Sequence, residues 1–443
     1  MEAKHHLVLK ENAALRLKVS KLEEQISVLK RKKNSRNSST PPSQDPNRPK
    51  RKTSLRKKGE KPNGGQPGHR GKTLEFSATP DDTVQLKPST CDSCGKDLDP
   101  TTLEKGEVRQ VVDIPPLQTI TTEFISYKGI CSCGCTTTHP FPAHAKPGVS
   151  YGPNMEAMIA YMSVRQFVSM VRIQEFFSGV FNLSISQGTI QNKLNSFHDK
   201  CFDRHEAIKE EIKKSNWVGT DETWITVNGK KAWFWVWRNA YAVYIVFSSN
   251  RKYQTILDTF GNGLKQVKLL HDRYAAHFIT AVKAHQLCTA HLLRDLNGII
   301  EICKDEWPVL FKQLLKDALE LNRKMKHNRE NSFEQEVLQI KSRAAALLEE
   351  PPGKYKHKLR TFIEAMVKHQ DYLFQYLDDP DIPPDNNISE RAIRPAKVKL
   401  KVSGQFKTVN GAEMFARIRS VVDSTYNDGL TLFERFVQIA KSA

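Results

Sequence analysis

The sequence lacks any run of about 18 apolar residues, and its amino terminus, M-E-A-K-H-H, has no apolar core of the kind that a signal peptide carries. These absences argue against a transmembrane span and against secretion. Cysteine is scarce too, with eight in 443 residues. In a reducing compartment these residues are thiols or metal ligands and not disulfides. We therefore predict a soluble, cytoplasmic protein with no membrane partner.

Acidic residues are few for the number of basic ones, and the formal net charge is +19. A chain this basic is expected to bind a polyanion, most often nucleic acid, although charge alone does not distinguish DNA from RNA or anionic lipid. Residues 30–72 hold fifteen Lys or Arg against Asp45 and Glu60, so +13 of the net charge lies there. We predict an unfolded linker over 34–80 that contacts phosphates; the alternative is a solubilising spacer.

Four heptads occupy residues 1–33, before the linker. The d positions are Val8, Leu15, Leu22 and Leu29, and the a positions are His5, Asn12, Val19 and Ile26. Val and Ile at a with Leu at d favour a two-stranded parallel coiled coil, and a single Asn at a specifies its register. We predict a homodimer through this helix; the alternative is a solitary amphipathic helix packed on its own chain.

Five cysteines form two clusters within residues 81–147. C-D-S-C-G and, further on, C-S-C-G-C offer two thiolate pairs that can close a tetrahedral Zn²⁺ site in a small β-rich module. The predicted ligands are Cys91, Cys94, Cys131 and Cys133, with Cys135 as the alternative to one of the last two. Buried thiols without a metal are the other interpretation.

Helical patterns fill residues 148–213. R-I-Q-E-F-F-S-G-V-F and Q-G-T-I-Q-N-K-L-N-S-F predict two amphipathic helices across a short polar turn, with Ser184 or Ser186 as the N-cap of the second. Such a unit is either a helix-turn-helix that reads DNA, with Gln187, Thr189 and Gln191 near the start of its second helix, or an ordinary helical hairpin.

Strand patterns begin near Asn216 and define a domain over 214–443. V-G-T-D-E-T-W-I-T-V ends at an Asn-Gly hairpin turn, and A-W-F-W-V-W-R and Y-A-V-Y-I-V-F follow as neighbouring strands. A helix, a fourth strand Q-V-K-L-L-H-D and the helical stretch 273–282 come next. This order predicts an α/β fold with a ribonuclease-H-like mixed sheet, and helical patterning predicts an insertion at about 304–378.

Three acids occupy informative places in this domain. Asp221 lies in a strand that looks built for burial, and an ionised carboxylate is costly to bury without a partner or a metal ion. In the predicted sheet Asp221 lies on the central strand and Asp272 ends the strand beside it, so the two can share divalent cations. Glu390 follows on a short helix that the Asn pair of P-D-N-N-I-S-E-R can cap.

Several motifs in combination resemble one family over most of the chain. They are G-G-Q-P-G-H-R-G, the cysteine module, Y-G-P-N, S-Q-G-T-I, G-T-D-E-T, H-D-R-Y-A-A-H, C-T-A-H-L-L-R and N-N-I-S-E-R-A-I-R-P. The sequence resembles the transposases of the insertion-sequence 66 family, although the second cysteine cluster departs from the commoner C-x-x-C spacing. The resemblance implies a DDE transposase of the bacterial cytoplasm and nucleoid with the triad Asp221, Asp272 and Glu390. It places the family's basic residue after the glutamate on Lys397 or Lys401.

The triad would serve phosphodiester chemistry. Two Mg²⁺ ions about 3.5 to 4 Å apart can activate a nucleophile and stabilise the leaving oxygen, and hard oxygen ligands suit Mg²⁺ or Mn²⁺ as thiolates suit Zn²⁺. Water would first free a 3′-OH at the element end, and that 3′-OH would then attack target DNA. The residues predicted to contact double-stranded DNA are Arg391, Arg394, Lys397, Lys401, His291 and Arg294.

Each acid also has a structural interpretation. Asp272 could cap the following helix, Glu390 could complete a capping box, and Asp221 could pair with a lysine. His291 could be a satisfied core histidine. Two rival classes of function remain, a DNA-binding accessory or regulator of transposition without catalysis, and a metal-dependent nuclease without strand transfer. Three acids in the expected order on strand, strand and helix favour catalysis and argue against the first class, and joining of cleaved DNA would separate a transposase from a nuclease.

Overall fold

The computed structural model describes residues 74–115, 117–349, 357–425 and 429–442, together with isolated positions between 12 and 38. Most of the predicted coiled coil and most of the predicted basic linker lie outside the described residues. The chain divides into two compact units, one formed by Pro49–Thr121 and the other by Met1–Arg48 with Thr122–Ala443. No helix within the described ranges is long and apolar enough to cross a membrane.

Regular structure is sparse across the described residues between 81 and 147. It consists of an isolated antiparallel bridge between Thr90 and Asp97, a 3₁₀ turn at Pro100–Thr102, and a hairpin of β1 (Lys128–Ile130) and β2 (Thr136–Thr138). The prediction of a β-rich module is therefore wrong beyond this hairpin. Apolar side chains here are exposed, with Val111 at 90% and Ile120 at 92%, so they form no core against which longer strands could pack.

Four helices lie between residue 148 and the main sheet. They are α1 (Pro153–Ala160), which continues into a π-helical turn at Tyr161–Arg165, then α2 (Met170–Phe181), α3 (Gln187–Lys200) and α4 (Phe202–Lys213). The predicted helix pair is present as α2 and α3. Of the two candidate N-caps, Ser186 is confirmed, because its Oγ accepts a hydrogen bond from the Thr189 amide at 3.0 Å.

A five-stranded mixed sheet lies at the centre of the larger unit. Its strands are β3 (Trp217–Val227), β4 (Lys230–Arg238), β5 (Val243–Ser248), β6 (Lys268–His271) and β7 (Ala284–Leu287). The spatial order is β5-β4-β3-β6-β7. Strands β3 to β5 form an antiparallel meander, and β6 and β7 run parallel to β3.

The sequence accounts for most of this sheet. Asn228 and Gly229 both have positive φ, 46° and 72°, as the predicted two-residue hairpin between β3 and β4 requires. Helix α5 (Gln254–Phe260) is the predicted crossover. The predicted helix over 273–282 is reduced to the single turn α6 (Ala275–Phe278), and β7 was not predicted.

The helical insertion is confirmed as a cluster with its own apolar core, and α7 (Thr289–Ile300) precedes it. Its helices are α8 (Trp307–His327), α9 (Glu334–Leu348), α10 (His357–Lys368) and α11 (Gln375–Asp378), with a 3₁₀ turn at Gln370–Tyr372. Buried Phe311, Leu314 and Phe362 belong to this core, which also includes Trp217 of β3 and Leu287 of β7 and is distinct from the larger core of the unit.

Three helices then return to the sheet. They are α12 (Asn387–Ser403), α13 (Val409–Asp423) and α14 (Leu432–Lys441). Their apolar residues share one core with α1 to α4 and the sheet. Helix α13 covers the edge strand β5, where the Ile245 amide donates to Ser420 Oγ at 2.8 Å and the Val243 amide donates to Ser424 Oγ at 3.0 Å. Helix α12 lies against β3 and thereby positions the candidate site.

Candidate active site

The three predicted acids lie on neighbouring elements. Asp221 is in β3, Asp272 directly follows β6, the parallel neighbour of β3, and Glu390 is in the first turn of α12. Burial raises the pKa of Asp221 well above its usual value, and the negative charges of Glu222, Asp272 and Glu390 raise it further. The fold therefore brings the three acids within electrostatic range of one another.

Gly219, two residues before Asp221, allows α12 to approach β3 closely. A Cβ at this position would lie 2.5 Å from both Asn386 Oδ1 and Ser389 Oγ, which is far inside van der Waals contact. Because Ser389 immediately precedes Glu390, the absence of a side chain at Gly219 sets how near the helix brings this acid to Asp221.

Asn386 fixes the same contact by a hydrogen bond. Its buried Nδ2 donates to the Thr220 carbonyl at 2.7 Å, and its amide donates to Cys288 Sγ at 3.1 Å. The predicted capping by the Asn pair is wrong, because α12 has no side-chain cap at its N-terminus and extends over 17 residues. The Asn386 side chain is used to attach the helix to β3, and the capping-box explanation of Glu390 fails with it.

Asp272 lies in a tight turn at the end of β6. Its Oδ1 accepts a hydrogen bond from the Tyr274 amide at 3.0 Å, and Arg273 between them has a φ of 75°, an uncommon conformation for a residue with a side chain. Tyr274 is the N-cap of α6, and no side chain caps that helix. The carboxylate therefore stabilises the turn and does not cap the helix.

Glu390 is held by two residues of α7 that were predicted to contact DNA. Its Oε1 lies 3.3 Å from Arg294 Nη2 and 3.9 Å from His291 Nε2. Burial and the charge of Arg294 lower the pKa of His291 to about 4, so this imidazole is neutral near pH 7. Arg294 is thus the cation that balances Glu390.

The acids fit a divalent cation by charge and by ligand type, since they are hard oxygen donors in a negative, partly buried cluster. Their side chains do not share one coordination sphere. Across the described ranges, no three His, Cys, Asp or Glu residues are placed to hold a metal ion. Glu390 faces Arg294, so its carboxylate must exchange this partner before it can bind a cation together with Asp221.

Glu222 is a buried acid of the G-T-D-E-T motif, and no role was predicted for it from the sequence. Its side chain is 1% exposed and pairs with the Arg251 guanidinium, while His277 Nε2 lies 3.3 Å from Oε2. The Arg251 guanidinium also lies 3.9 Å from the centre of the Tyr274 ring. Glu222 is therefore already paired with Arg251, which leaves Asp221 as the acid of β3 that is available for a cation.

Basic side chains of α12 extend from the same region. Arg391, Arg394 and Lys401 are exposed. Lys397 is different, because its Nζ donates to the Trp224 carbonyl at 2.8 Å and lies 4.0 Å from the centre of the Trp224 ring. Burial lowers the pKa of Lys397 to about 8, and the charge of Lys231 contributes.

Each cysteine cluster forms a local turn stabilised by backbone hydrogen bonds. The Gly95 amide donates to the Cys91 carbonyl at 2.9 Å, and the Gly134 amide donates to the Cys131 carbonyl at 2.8 Å. Both glycines have positive φ, 69° and 84°. Hydrogen bonds from Cys94 and Cys135 amides lower the pKa values of the Cys91 and Cys133 thiols respectively, which favours the thiolate form that binds metals.

Comparison with protein families gives two matches. The sequence model described as Transposase IS66 family matches residues 148–414, which include the whole sheet, the three acids and the helical insertion. A family of unknown function, DUF6444, matches residues 4–75. No curated protein matches the chain.

Proposed function

The chain belongs to the IS66 family of transposases, and we propose that it binds the ends of its mobile element and catalyses Mg²⁺-dependent strand cleavage and strand transfer. The clustering of Asp221, Asp272 and Glu390 carries this proposal. Asp272 and Glu390 lie close enough to Asp221, in the central strand of the sheet, for their negative charges to raise its pKa. The spatial order β5-β4-β3-β6-β7 with β6 parallel to β3 supports a ribonuclease-H-like core.

Asp221, Asp272 and Glu390 would hold Mg²⁺, or Mn²⁺ in its place, with Asp221 as the central ligand. When bound, such a pair of ions supplies an activated water and stabilises the departing oxygen. Arg294 holds the Glu390 carboxylate in the metal-free protein and would release it when a cation binds, and neutral His291 adds no competing positive charge. Arg391, Arg394, Lys397 and Lys401 would contact the phosphates of double-stranded DNA, element end and target alike.

A cleavage and joining assay tests the proposal. Duplex DNA that carries an end of the element is incubated with the protein and Mg²⁺, and products are resolved by strand. We expect a nick that leaves a 3′-OH, followed by joined product on target DNA, and neither product in EDTA. Cleavage without joining would indicate the nuclease instead, and DNA binding without cleavage would indicate an accessory protein.

We also propose a structural Zn²⁺ bound by Cys91, Cys94, Cys131 and Cys133, supported by the two glycine turns and the lowered thiol pKa values. Purified protein should contain about one Zn²⁺ per chain, and Cys94→Ser should lose most of it, because three thiolates bind Zn²⁺ far more weakly than four. Metal analysis by mass spectrometry measures this content.

Two further variants define the zinc ligand set. If Cys133 is a ligand, Cys133→Ser loses Zn²⁺ and Cys135→Ser retains it; the reverse pattern assigns Cys135. Cys201→Ala, a buried thiol in the core of the larger unit, is the matched control and should retain the metal. Full zinc content in Cys94→Ser would contradict the site.

Lys397 gives a pH-dependent prediction. Because its pKa is about 8 and not the usual value for lysine, its positive charge is lost as the pH rises through 8. DNA affinity, measured by fluorescence anisotropy at constant salt, should therefore fall severalfold between about pH 7 and pH 9. Lys397→Arg should show a flatter profile, since arginine stays protonated. An identical slope in both proteins would exclude Lys397 from the contact.

Homodimerisation through residues 1–33 is proposed on the heptad pattern. At the positions that the structure describes, Leu15, Leu22 and Leu29 are 59%, 49% and 84% exposed, so the predicted seam is not covered by the same chain at these leucines. Sedimentation equilibrium of the full chain and of a variant without residues 1–33 compares the two masses. A dimer that survives the deletion would locate the interface elsewhere.

A further inference from the structure

A cavity of about 370 Å³ lies next to α12 and is lined by four arginines. They come from four separate elements, and the other lining residues are one acid and three apolar side chains. The arginines are Arg165, Arg238, Arg391 and Arg419, and the remaining residues are Asp423, Ile388, Ala392 and Val422. The three predicted catalytic acids do not line this cavity.

Asp423 is the one acid in the lining, and it serves two of the arginines. Arg165 Nη1 lies 2.6 Å from Asp423 Oδ1, and Arg419 pairs with Oδ2 of the same carboxylate. Arg238 and Arg391 make no ion pair with any residue that the structure describes. Four guanidinium charges therefore surround one carboxylate, and the cavity has a large positive excess.

Arg419 contributes its charge to the cavity lining from a buried position. Arg419 is only 4% exposed, and its Nε has no hydrogen-bond partner among the described residues. Because this residue is buried, its positive charge is only weakly screened by solvent. Burial lowers the pKa of Arg238, the charge of Asp423 opposes this shift, and the charge of Arg391 adds to it, so Arg238 and Arg391 repel each other.

We propose that this cavity binds a phosphate group. Guanidinium groups match the oxygens of phosphate in bidentate geometry, and a phosphate would neutralise the excess positive charge of the four arginines. The group belongs either to a nucleic acid strand or to a small phosphate compound, and both present the same chemistry.

The cavity lies close to the elements that carry the proposed catalytic acids, but phosphate binding there does not depend on catalysis. Arg391 directly follows Glu390 on α12, and Arg238 pairs in register with Gly219, two residues from Asp221. A strand whose phosphate is bound here would be fixed against the same helix and strand that carry two of the acids. Phosphate binding itself requires no cleavage, so it can be measured separately.

Thermal unfolding with inorganic pyrophosphate tests the cavity directly. A ligand of the native state raises Tm, whereas binding to an unfolded basic segment does not. At matched ionic strength we expect a saturable rise of several degrees in the full-length protein, and none in Arg391→Gln or Arg238→Gln. Arg343→Gln, an exposed arginine of α9 that pairs with Asp317, is the control and should respond like the wild type. Since Arg391 is exposed, its variant should fold even if Arg238→Gln does not.

Binding of a duplex oligonucleotide then separates the two sources of the phosphate. If a strand occupies the cavity, Arg391→Gln and Arg238→Gln lower DNA affinity severalfold, and each reduces the slope of log affinity against log salt by about 1. Unchanged DNA binding with a lost pyrophosphate response assigns a small phosphate compound. The proposal is overturned if pyrophosphate does not raise the wild-type Tm, or if both variants respond as the wild type does. Asp221→Asn should keep the pyrophosphate response, so a failure of catalysis is distinguishable from a failure of this site.

Discussion

Asp221→Asn is expected to reduce DNA cleavage and joining by roughly a thousandfold or more while DNA binding stays intact. Asn has nearly the shape of Asp but no charge, so it would remove the anionic ligand that the proposed site places on β3 and leave the packing unchanged. The measurement is the single-turnover rate with Mg²⁺ on element-end DNA. Asp258→Asn, an exposed acid on α5, is the control and should keep the wild-type rate.

The same substitution should stabilise the metal-free protein at neutral pH. The pKa of Asp221 is raised in the folded state, so its stabilising contribution is complete below the ordinary value of 3.8 and is lost as the pH rises through the raised pKa. Asn removes the repulsion from Glu222, Asp272 and Glu390. In EDTA the variant should therefore unfold at a higher temperature than the wild type near pH 7, and the difference should shrink toward about pH 4.

Added Mg²⁺ should reverse this order. If the proposed site holds Mg²⁺, the wild type should gain stability, whereas Asp221→Asn, without the central carboxylate, should gain little. Calorimetric scans with and without Mg²⁺ measure both effects. A variant that cleaves DNA at the wild-type rate, or that is less stable than the wild type in EDTA, would contradict the assignment of Asp221.

Gly219→Ala is expected to lower activity by displacing Glu390, although Gly219 is not itself one of the three acids. The new Cβ would lie 2.5 Å from Asn386 Oδ1 and Ser389 Oγ, so α12 must move away from β3 and take Glu390 with it. Overpacking of this kind costs about 1 to 3 kcal/mol of unfolding free energy. A displacement near 1 Å can lower a rate by about a hundredfold, and we expect a loss of that order in cleavage.

Gly179→Ala separates this effect from a general effect of alanine. Gly179 lies in α2, and a Cβ there would meet no atom within 4 Å. This control should keep full activity and gain up to about 1 kcal/mol of stability from its better helix propensity. Wild-type activity and stability in Gly219→Ala would show that the contact between α12 and β3 tolerates a methyl group and does not set the position of Glu390.

The sequence predicted the central sheet because its signals are local. Alternating apolar residues and the Asn-Gly turn specify β3 and β4, and the succession of strands and helix places β6 beside β3. Strand β7, with the sequence A-H-Q-L, escaped prediction because it has only four residues and two of them are polar. Its histidine and glutamine are buried nevertheless, which only the tertiary structure reveals.

The details of the candidate site depend on contacts between residues that are far apart in the sequence, and the spacing of residues along the chain does not predict such contacts. Asn386 looked like a helix cap, but its side chain bonds to Thr220, 166 positions away. Arg294 and Glu390 come together only because α7 and α12 meet beside the sheet. The four arginines of the cavity are likewise spread from position 165 to position 419, and no sequence motif contains two of them.

The serine hydroxyls of α13 have a consequence for self-association. An exposed edge strand offers free amides to any other extended segment, and such edges are common origins of aggregation. Here two amides of β5 are already bound by Ser420 and Ser424. A second molecule gathered on the same DNA therefore cannot extend the sheet across these positions by strand addition, even at high local concentration.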